Sequence, residues 1–381
     1  MEKVKKLILC HVPISACNLR CQYCYITLTK SWDAPHPKFR YSPEYIASAL
    51  SKERLGGPCF FNLCGSGETL IPAEMPLIIR ELLKQGHYLE IVTNGTLTAR
   101  FSELAELPRE YLERLSFKFS FHFAELERLG LMETFFQNIE TMRACGCSFT
   151  VELPPADDLV PRIEEIKEIC RKRLGALCHL TILRDDRSED IPVLSDLDLD
   201  QYYEAWESFD SDMLNYKKTI FNRHQSGFCY AGAWSFYFDL VTGDARKCYS
   251  FPTQLNLYED INASLDFPAV GHNCPLAHCY NGHSLMTFGN IPNQTDVTYA
   301  NIRNRTRADG TEWLNGRMKA FMSSKLGESN ELYTQEQMKA ADRESKGQMR
   351  NLRAKRLIGR VLGPGLKQTI KKVLHQKSGE R

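Results

Sequence analysis

Residues 7–24 read LILCHVPISACNLRCQYC, an apolar run that is followed at once by three closely spaced cysteines. The run is rich in leucine, isoleucine and valine, which predicts a buried β-strand over residues 7–13. Cys17, Cys21 and Cys24 lie directly after it. Clustered thiols in such a chain are typical of a metal or catalytic site. The stretch therefore predicts a metal centre in the loop after the first strand.

The first half of the chain alternates between strand-like and helix-like patterns. Five more apolar runs follow the first, and helical patterns lie between them. One of these helices opens at Ser42-Pro43 and three others end near a glycine, as capped helices do. The predicted strands are 7–13, 59–64, 88–93, 116–121, 148–153 and 177–183, and the helices that end near glycine are 73–85, 132–144 and 161–174. Such alternation predicts an α/β fold with a parallel sheet, as in a barrel or partial barrel.

The spacing Cys17-x3-Cys21-x2-Cys24, with Tyr23 before the last cysteine, resembles the signature of the radical S-adenosylmethionine (SAM) superfamily. Three ligands on a four-iron cluster leave one iron open. The resemblance implies a partial (β/α)6 TIM-like barrel over about residues 7–190 and a [4Fe–4S] cluster whose open iron binds SAM. It further implies reductive cleavage of SAM to a 5′-deoxyadenosyl radical, which abstracts a substrate hydrogen. A zinc knuckle completed by a distant histidine is the alternative.

Short motifs at the ends of later strands extend this resemblance. Gly65-Ser-Gly-Glu68-Thr69 is similar to the superfamily's Gly-Gly-Glu-Pro segment, whose glutamate holds the methionine amino group, with threonine in place of proline. Asn94 lies in a segment that in related enzymes is beside SAM, and Ser120 and His122 lie where relatives contact the ribose or carboxylate. The SAM-binding residues that the resemblance implies are Tyr23, Gly65, Gly67, Glu68, Asn94, Ser120 and His122.

Charged residues stand at the ends of the fifth and sixth predicted strands. They are Glu152, Arg184 and Asp185. Because the loops of a parallel barrel converge at the carboxyl ends of its strands, we expect all three near the cysteine loop. They are candidates, by position alone, for the proton acceptor of the reaction. An ordinary strand-end ion pair is the alternative for each.

Cys229, Cys248, Cys274 and Cys279 form a second cysteine group. Gly243 permits a hairpin that brings the first two together. The pattern Cys-x13-Gly-x4-Cys resembles the auxiliary-cluster modules called SPASM and Twitch, and four cysteines fit one auxiliary [4Fe–4S] cluster of the Twitch type. A closed auxiliary cluster implies an oxidative reaction. A structural zinc ion held by the four thiolates is the alternative.

The composition is that of a globular protein, with 43% hydrophobic and 25% charged residues. No apolar run reaches the length of a membrane span, and the short run near the N-terminus lacks a signal-peptide cleavage pattern. Fourteen cysteines in a chain without a secretory segment point to metal binding rather than disulfides. We therefore expect a cytoplasmic protein.

The C-terminal tail differs in net charge from the rest of the chain. Residues 345–381 hold eleven basic residues and one acid, whereas the rest of the chain holds 37 basic and 46 acidic residues. Aliphatic residues recur at helical spacing, and Gly363-Pro364-Gly365 should divide the tail into two helices. The tail predicts peripheral contact with an anionic membrane surface, and a helix packed on its own body is the alternative. The acidic body predicts no nucleic-acid partner.

We predict three segments: a radical SAM barrel at 1–215, an auxiliary-cluster domain at 216–300 and a helical extension with the basic tail at 301–381. The predicted function is the dehydrogenation of a small molecule of the sugar or polyol type. An external one-electron donor is the expected partner that supplies the electron for the cleavage of SAM. Peptide-modifying relatives often carry a leader-binding domain, and only sixteen residues precede Cys17, which favours the small molecule. A peptide-modifying maturase and a non-catalytic zinc or iron–sulfur interaction protein are the alternatives.

Overall fold

The computed structural model describes residues 2–32, 38–188, 191–265, 267–272 and 274–361, with side chains up to residue 351. The final helix runs over Gln335–Val361 and so includes the start of the basic tail. The predicted break at Gly363-Pro364-Gly365 and the second tail helix lie outside the described residues. No helix within them has the length and apolar character that crossing a membrane requires. Peripheral membrane contact by the tail stays a prediction.

One nine-stranded sheet organises the described residues, in the order β6-β5-β4-β3-β2-β1-β7-β8-β9. Strands β1 to β6 are mutually parallel, β7 pairs in parallel with β1, and β8 and β9 add antiparallel strands at that edge. The strands are β1 Leu7–Val12, β2 Phe60–Gly65, β3 Tyr88–Thr93, β4 Leu115–Ser120, β5 Ser148–Leu153, β6 His179–Leu180, β7 Ser235–Asp239, β8 Asp244–Arg246 and β9 Thr253–Asn256.

Helices follow most of the parallel strands and cover one face of the sheet. Their bounds are α1 Tyr25–Leu28, α2 Pro43–Ala49, α3 Lys52–Leu55, α4 Met75–Lys84, α5 Thr98–Ala105, α6 Arg109–Leu112, α7 Phe123–Arg128, α8 Met132–Ala144, α9 Ile163–Leu174, α10 Leu199–Trp206, α11 Asp212–Ile220, α12 Gly282–Thr287, α13 Tyr299–Arg303, α14 Gly316–Ser323 and α15 Gln335–Val361. Three short 3₁₀ helices lie at Asp157–Arg162, Glu207–Phe209 and Leu326–Glu328. This is the mixed α/β fold with a parallel sheet that the sequence predicts.

The predicted strands and helices are confirmed, with two local differences. β6 is two residues long rather than seven: its pairing with β5 ends at Leu180, and farther along Leu183 N donates to the Tyr202 hydroxyl at 3.4 Å. The helix predicted from residue 161 begins at Ile163, after the 3₁₀ turn.

The hairpin that the second cysteine group predicts is also confirmed. β7 and β8 are antiparallel, with Tyr237 opposite Arg246. Gly243 lies in the connecting turn at φ +83°, a left-handed conformation that glycine adopts without a steric cost. Because β7 pairs with β1, this part of the chain continues the main sheet past the strand that precedes the first cysteine loop.

The two faces of the parallel strands differ in chemistry, since successive side chains point to opposite sides. One face is apolar and packs against the helices, as Phe61, Ile91 and Phe117 do in the largest core cluster. The other face has two layers. Leu7 and Phe60, near the amino ends of their strands, pack against C-terminal helices. Polar side chains follow toward the carboxyl ends, and they face a cavity.

Arg303, at the end of α13, completes this polar layer. Its guanidinium is ion-paired with Glu152 of β5, and its Nε lies 3.5 Å from Glu90 of β3. Glu90 also accepts hydrogen bonds from Asn62 and Tyr299, each at 2.6 Å. All of these carboxylates and the guanidinium are buried. The C-terminal helices therefore supply a charge that the interior of the barrel needs.

Candidate active site

A cavity of about 620 Å³ lies at the carboxyl ends of the parallel strands. All three cysteines of the first group and all seven residues predicted to bind SAM line it. Glu152, Arg184 and, from the second cysteine group, Cys279 line it as well. The structure thus brings together side chains that are separated by more than 250 positions in the sequence.

Contacts from neighbouring strand ends fix the first cysteine loop. The Asn94 amide, after β3, donates to Asn18 Oδ1 at 2.8 Å and lies 3.6 Å from the Cys17 sulfur. The backbone N–H of Arg20 donates to Glu125 of α7 at 2.7 Å. Helix α1 begins directly after Cys24. The loop between β1 and α1 is therefore held from the β3 and β4 sides of the barrel.

The three thiols of this loop are close enough to influence one another. Burial raises the pKa of Cys17, Cys21 and Cys24, and the neighbouring thiols raise the pKa of Cys21 further, to about 12. Without a metal these groups stay protonated at neutral pH. Metal binding releases such protons, because the thiolate is the ligand. Three neighbouring thiols on one cavity wall fit a four-iron cluster with one iron open to the cavity.

The Gly65-Glu68 segment lies against the chain before the first cysteine. Ser66 N donates to Val12 O at 3.1 Å and Glu68 N to Ala16 O at 2.9 Å, so the two segments pair like short strands. A Cβ atom at Gly67 would overlap the carbonyl group of Ala16. Only glycine permits this approach, which leaves a smooth backbone surface beside the cysteine loop.

Glu68 links this segment to the end of β3. Its carboxylate accepts hydrogen bonds from Asn94 N at 2.7 Å, from the Thr93 hydroxyl at 2.8 Å and from Leu70 N at 3.0 Å. Burial raises its pKa, and these donors oppose that effect. A carboxylate has about four acceptor positions, so a further donor can still be bound. Glu68 thus fits the role of holding an amino group at the cavity.

Thr69, which departs from the superfamily's proline, has a structural role of its own. Its hydroxyl accepts from Gly65 N at 2.8 Å and donates to Val92 O at 2.5 Å. A proline would make neither bond. The threonine therefore joins the ends of β2 and β3, and the departure from the motif is compatible with the same loop geometry.

Tyr23 and His122 connect the cysteine loop to the end of β4. The Tyr23 hydroxyl lies 2.8 Å from His122 Nδ1. Burial and the nearby Lys118 lower the pKa of His122 to about 4. The imidazole is therefore neutral at physiological pH, and its Nδ1 can accept a hydrogen bond from the Tyr23 hydroxyl.

The four cysteines of the second group also lie near one another. The pKa of Cys279 is raised by burial and then by Cys248, Cys229 and Cys274, and burial and Cys274 raise that of Cys229 to about 12. Cys229 pairs with Gly271 through two backbone hydrogen bonds of 3.0 and 3.1 Å. Of the four, Cys279 faces the cavity.

The described residues hold no group of three or more His, Cys, Asp or Glu side chains arranged to bind one metal ion. The ligands of a four-iron cluster each bind a different iron atom.

The three charged candidates at the strand ends have different surroundings. Glu152 is buried between Arg303 and Lys118, whose Nζ lies 3.2 Å away. Arg184 lines the cavity and donates to the carbonyl of Tyr280 at 3.2 Å. Asp185 is not among the cavity-lining residues, because its carboxylate turns to Arg187 at 2.7 Å. The next residue, Asp186, lines the cavity instead.

Four residues that no sequence motif predicted at this site also line the cavity: Lys118, Lys217, His283 and Arg303. A signal for Lys118 is present in β4, where Ser116, Lys118 and Ser120 alternate with phenylalanines. In a parallel strand covered on both faces, such alternation indicates a polar interior. The other three residues lie on helices, where no local pattern distinguishes them.

The chain is similar to one family model and to several solved structures. Residues 12–153 match the family model of the radical SAM superfamily. Three solved structures with which the chain aligns over 68–72% of its length are Streptococcus suis SuiB, anSMEcpe with bound AdoMet, and BtrN in complex with AdoMet and 2-DOIA.

SuiB is 13% identical to the chain, with a TM-score of 0.48 and 67% of its own length covered. The anSMEcpe structure is 14% identical, with a TM-score of 0.45 and 80% of its length covered. BtrN is 15% identical, with a TM-score of 0.36 and 81% of its length covered. No curated protein matches the chain. The matched segment runs from the end of β1 to the end of β5 and carries the first cysteine group, so this part of the chain is similar to the radical SAM superfamily.

Proposed function

We propose that the protein is a radical SAM enzyme that oxidises a small molecule with the help of an auxiliary iron–sulfur cluster. One observation carries the proposal. The first cysteine group, the predicted SAM-binding residues and Cys279 of the second group all line a single cavity. A substrate in that cavity would contact both cysteine groups.

Cys17, Cys21 and Cys24 would hold the radical-generating cluster, and Glu68 would hold the amino group of SAM. When bound, the reduced cluster and SAM would supply the radical chemistry that removes a hydrogen atom from the substrate. The chain's own part is to position these groups. Asn94 and Glu125 fix the cysteine loop, and Gly67 keeps the adjoining segment close to it.

Cys229, Cys248, Cys274 and Cys279 would hold the auxiliary [4Fe–4S] cluster, which supplies a one-electron acceptor when bound. The position of Cys279 favours this cluster over zinc. A cluster at the cavity wall could accept an electron directly from the substrate, whereas zinc has no redox chemistry and a structural zinc site needs no place on the cavity wall. An acceptor at this wall suits oxidation rather than rearrangement.

Oxidation also needs a group that accepts a proton from the substrate. Lys118 and Glu152 are suited to this as a pair, since both line the cavity and their charged atoms are 3.2 Å apart. Burial lowers the pKa of Lys118 to about 8. A base with a pKa near the operating pH is the most effective in proton transfer. Glu152 would orient the Lys118 amine and balance its charge.

The cavity favours a hydroxylated small molecule as substrate. Beside the SAM-binding residues, polar side chains such as Asn62, Asn281 and Arg184 line it. A sugar or polyol would match these donors and acceptors. A peptide whose side chain enters the cavity is the second candidate substrate. A non-catalytic interaction protein would not need a cavity that both cysteine groups share.

Metal analysis of anaerobically reconstituted protein tests the proposal. We expect about eight iron and eight sulfide per chain, corresponding to two four-iron clusters. The double variant Cys229→Ala/Cys279→Ala should retain about four of each and Cys17→Ala/Cys21→Ala likewise, since each removes one site. Cys145→Ala, outside both groups, is the control and should match the wild type. Zinc at the second group, or full iron in the first double variant, would reject the auxiliary cluster.

A further inference from the structure

The inner wall of the cavity gathers four basic side chains from four different elements. Lys118 lies on β4, Lys217 on α11, His283 on α12, and Arg184 follows β6. They are close enough that Lys118 and Arg184 lower the pKa of Lys217, and that all three lower the pKa of His283. Burial is the largest cause in both cases. The charged forms of basic groups this close together are unfavourable unless something compensates their charge.

The protein itself compensates part of this charge. Lys118 is paired with Glu152 at 3.2 Å, and Arg184 lies 4.0 Å from Asp186. Arg303, the other cation at the cavity, is paired with Glu90 and Glu152. Among the described residues, Glu90, Glu152 and Asp186 are therefore already engaged with other cations.

Lys217 has no such partner among the residues that the structure describes. Its Nζ donates to the Thr181 hydroxyl at 2.5 Å, and within the described part of the chain it forms no ion pair and no attractive charge acts on it. An ammonium group has three donors, so two remain for a ligand. Lys217 reaches the cavity from α11, on the side where Cys279 and His283 stand.

We propose that Lys217, with Arg184 and His283, binds an anionic group of the substrate, a phosphate or a carboxylate. This rests on the proposed function only in taking the cavity as the substrate site. Charge-assisted hydrogen bonds to such a group would satisfy Lys217 and relieve the repulsion among the basic residues. The substrate would then be anchored at the second cysteine group with the remainder directed toward the first. A phosphorylated or carboxylated sugar or polyol has the required chemistry.

Calorimetric titration of reconstituted, SAM-saturated protein with small probes tests this proposal without requiring turnover. Inorganic phosphate and acetate are the anionic probes, and glycerol is the neutral one. We expect at least one anion to bind the wild type, and Lys217→Met to weaken its binding about tenfold to a hundredfold, the range for a lost charged hydrogen bond. The stronger of the two anions indicates whether the substrate carries phosphate or carboxylate.

Two variants provide controls. Lys218→Met removes a neighbouring charge that lies over the Tyr203 ring instead, and should leave anion binding within twofold of the wild type. Lys217→Arg keeps the charge and should retain most of the binding, which separates lost charge from lost folding. Three results would overturn the proposal: anion affinity equal to wild type in Lys217→Met, a change in SAM affinity alone, or loss of second-cluster iron alone. A change in SAM affinity alone would indicate that Lys217 binds the SAM carboxylate. Loss of second-cluster iron alone would indicate that Lys217 compensates the charge of that cluster.

Discussion

Replacing Arg303 by methionine is expected to destabilise the protein by about 3–5 kcal/mol, the usual cost of removing one partner from a buried ion pair. The variant leaves Glu90 without its cation and Glu152 with Lys118 alone. Both carboxylates are almost completely buried, so water cannot replace the guanidinium. Urea unfolding of the metal-free protein, followed by circular dichroism, would measure the difference in free energy.

A second arginine on the same C-terminal part of the chain provides the control. Arg317 lies 3.6 Å from Glu2 and is half exposed, so Arg317→Met should cost less than about 1 kcal/mol. The double variant Arg303→Met/Glu90→Gln should recover part of the loss, because it removes one of the orphaned charges. Equal effects of the two arginine variants would show that the network does not support the barrel.

Replacing Gly67 by alanine is expected to weaken SAM binding by roughly tenfold to a hundredfold, about 1.4–2.8 kcal/mol. The added Cβ would overlap the Ala16 carbonyl, so the segment that carries Glu68 must move away from the first cysteine loop. The paired backbone hydrogen bonds from Ser66 and Glu68 would lengthen or break. Equilibrium dialysis of labelled SAM against anaerobically reconstituted protein measures the effect.

Gly316→Ala is the matched control, since a Cβ there meets no atom within 4 Å. It should bind SAM as the wild type does. Iron content should be measured in both variants, so that lost affinity can be separated from a lost cluster. Unchanged SAM affinity in Gly67→Ala, with the iron retained, would show that the close approach of the two segments is not required.

The sequence predicted the parallel barrel and the side of the cavity formed by the first cysteine loop, because both are encoded locally. Strand periodicity identified β1 to β5 within one residue, and the spacing of Cys17, Cys21 and Cys24 identified their loop. Strand order then places every loop that follows a parallel strand at the same edge. Gly67 and Asn94 could therefore be placed near the cysteines without knowledge of any contact.

The side of the cavity that carries Lys217, His283 and Arg303 depends on contacts that no local pattern encodes. Lys217 and His283 lie on helices whose sequences do not distinguish a cavity-facing residue from a solvated one. Arg303 reaches the barrel interior through packing of α13 across more than 150 positions of sequence from Glu152. Asp185 and Asp186 differ by a single position, and the backbone beyond β6 decides which of them faces the cavity.

The most direct test of the account is the amount of 5′-deoxyadenosine that reduced, anaerobically reconstituted protein forms from SAM. The wild type and the control Cys145→Ala should form it, whereas Cys21→Ala should form none above background, because the open-iron cluster would lack one of its three ligands. A wild type with both cysteine groups loaded with iron and sulfide that forms none, or a Cys21→Ala variant that forms as much as the wild type, would contradict the account.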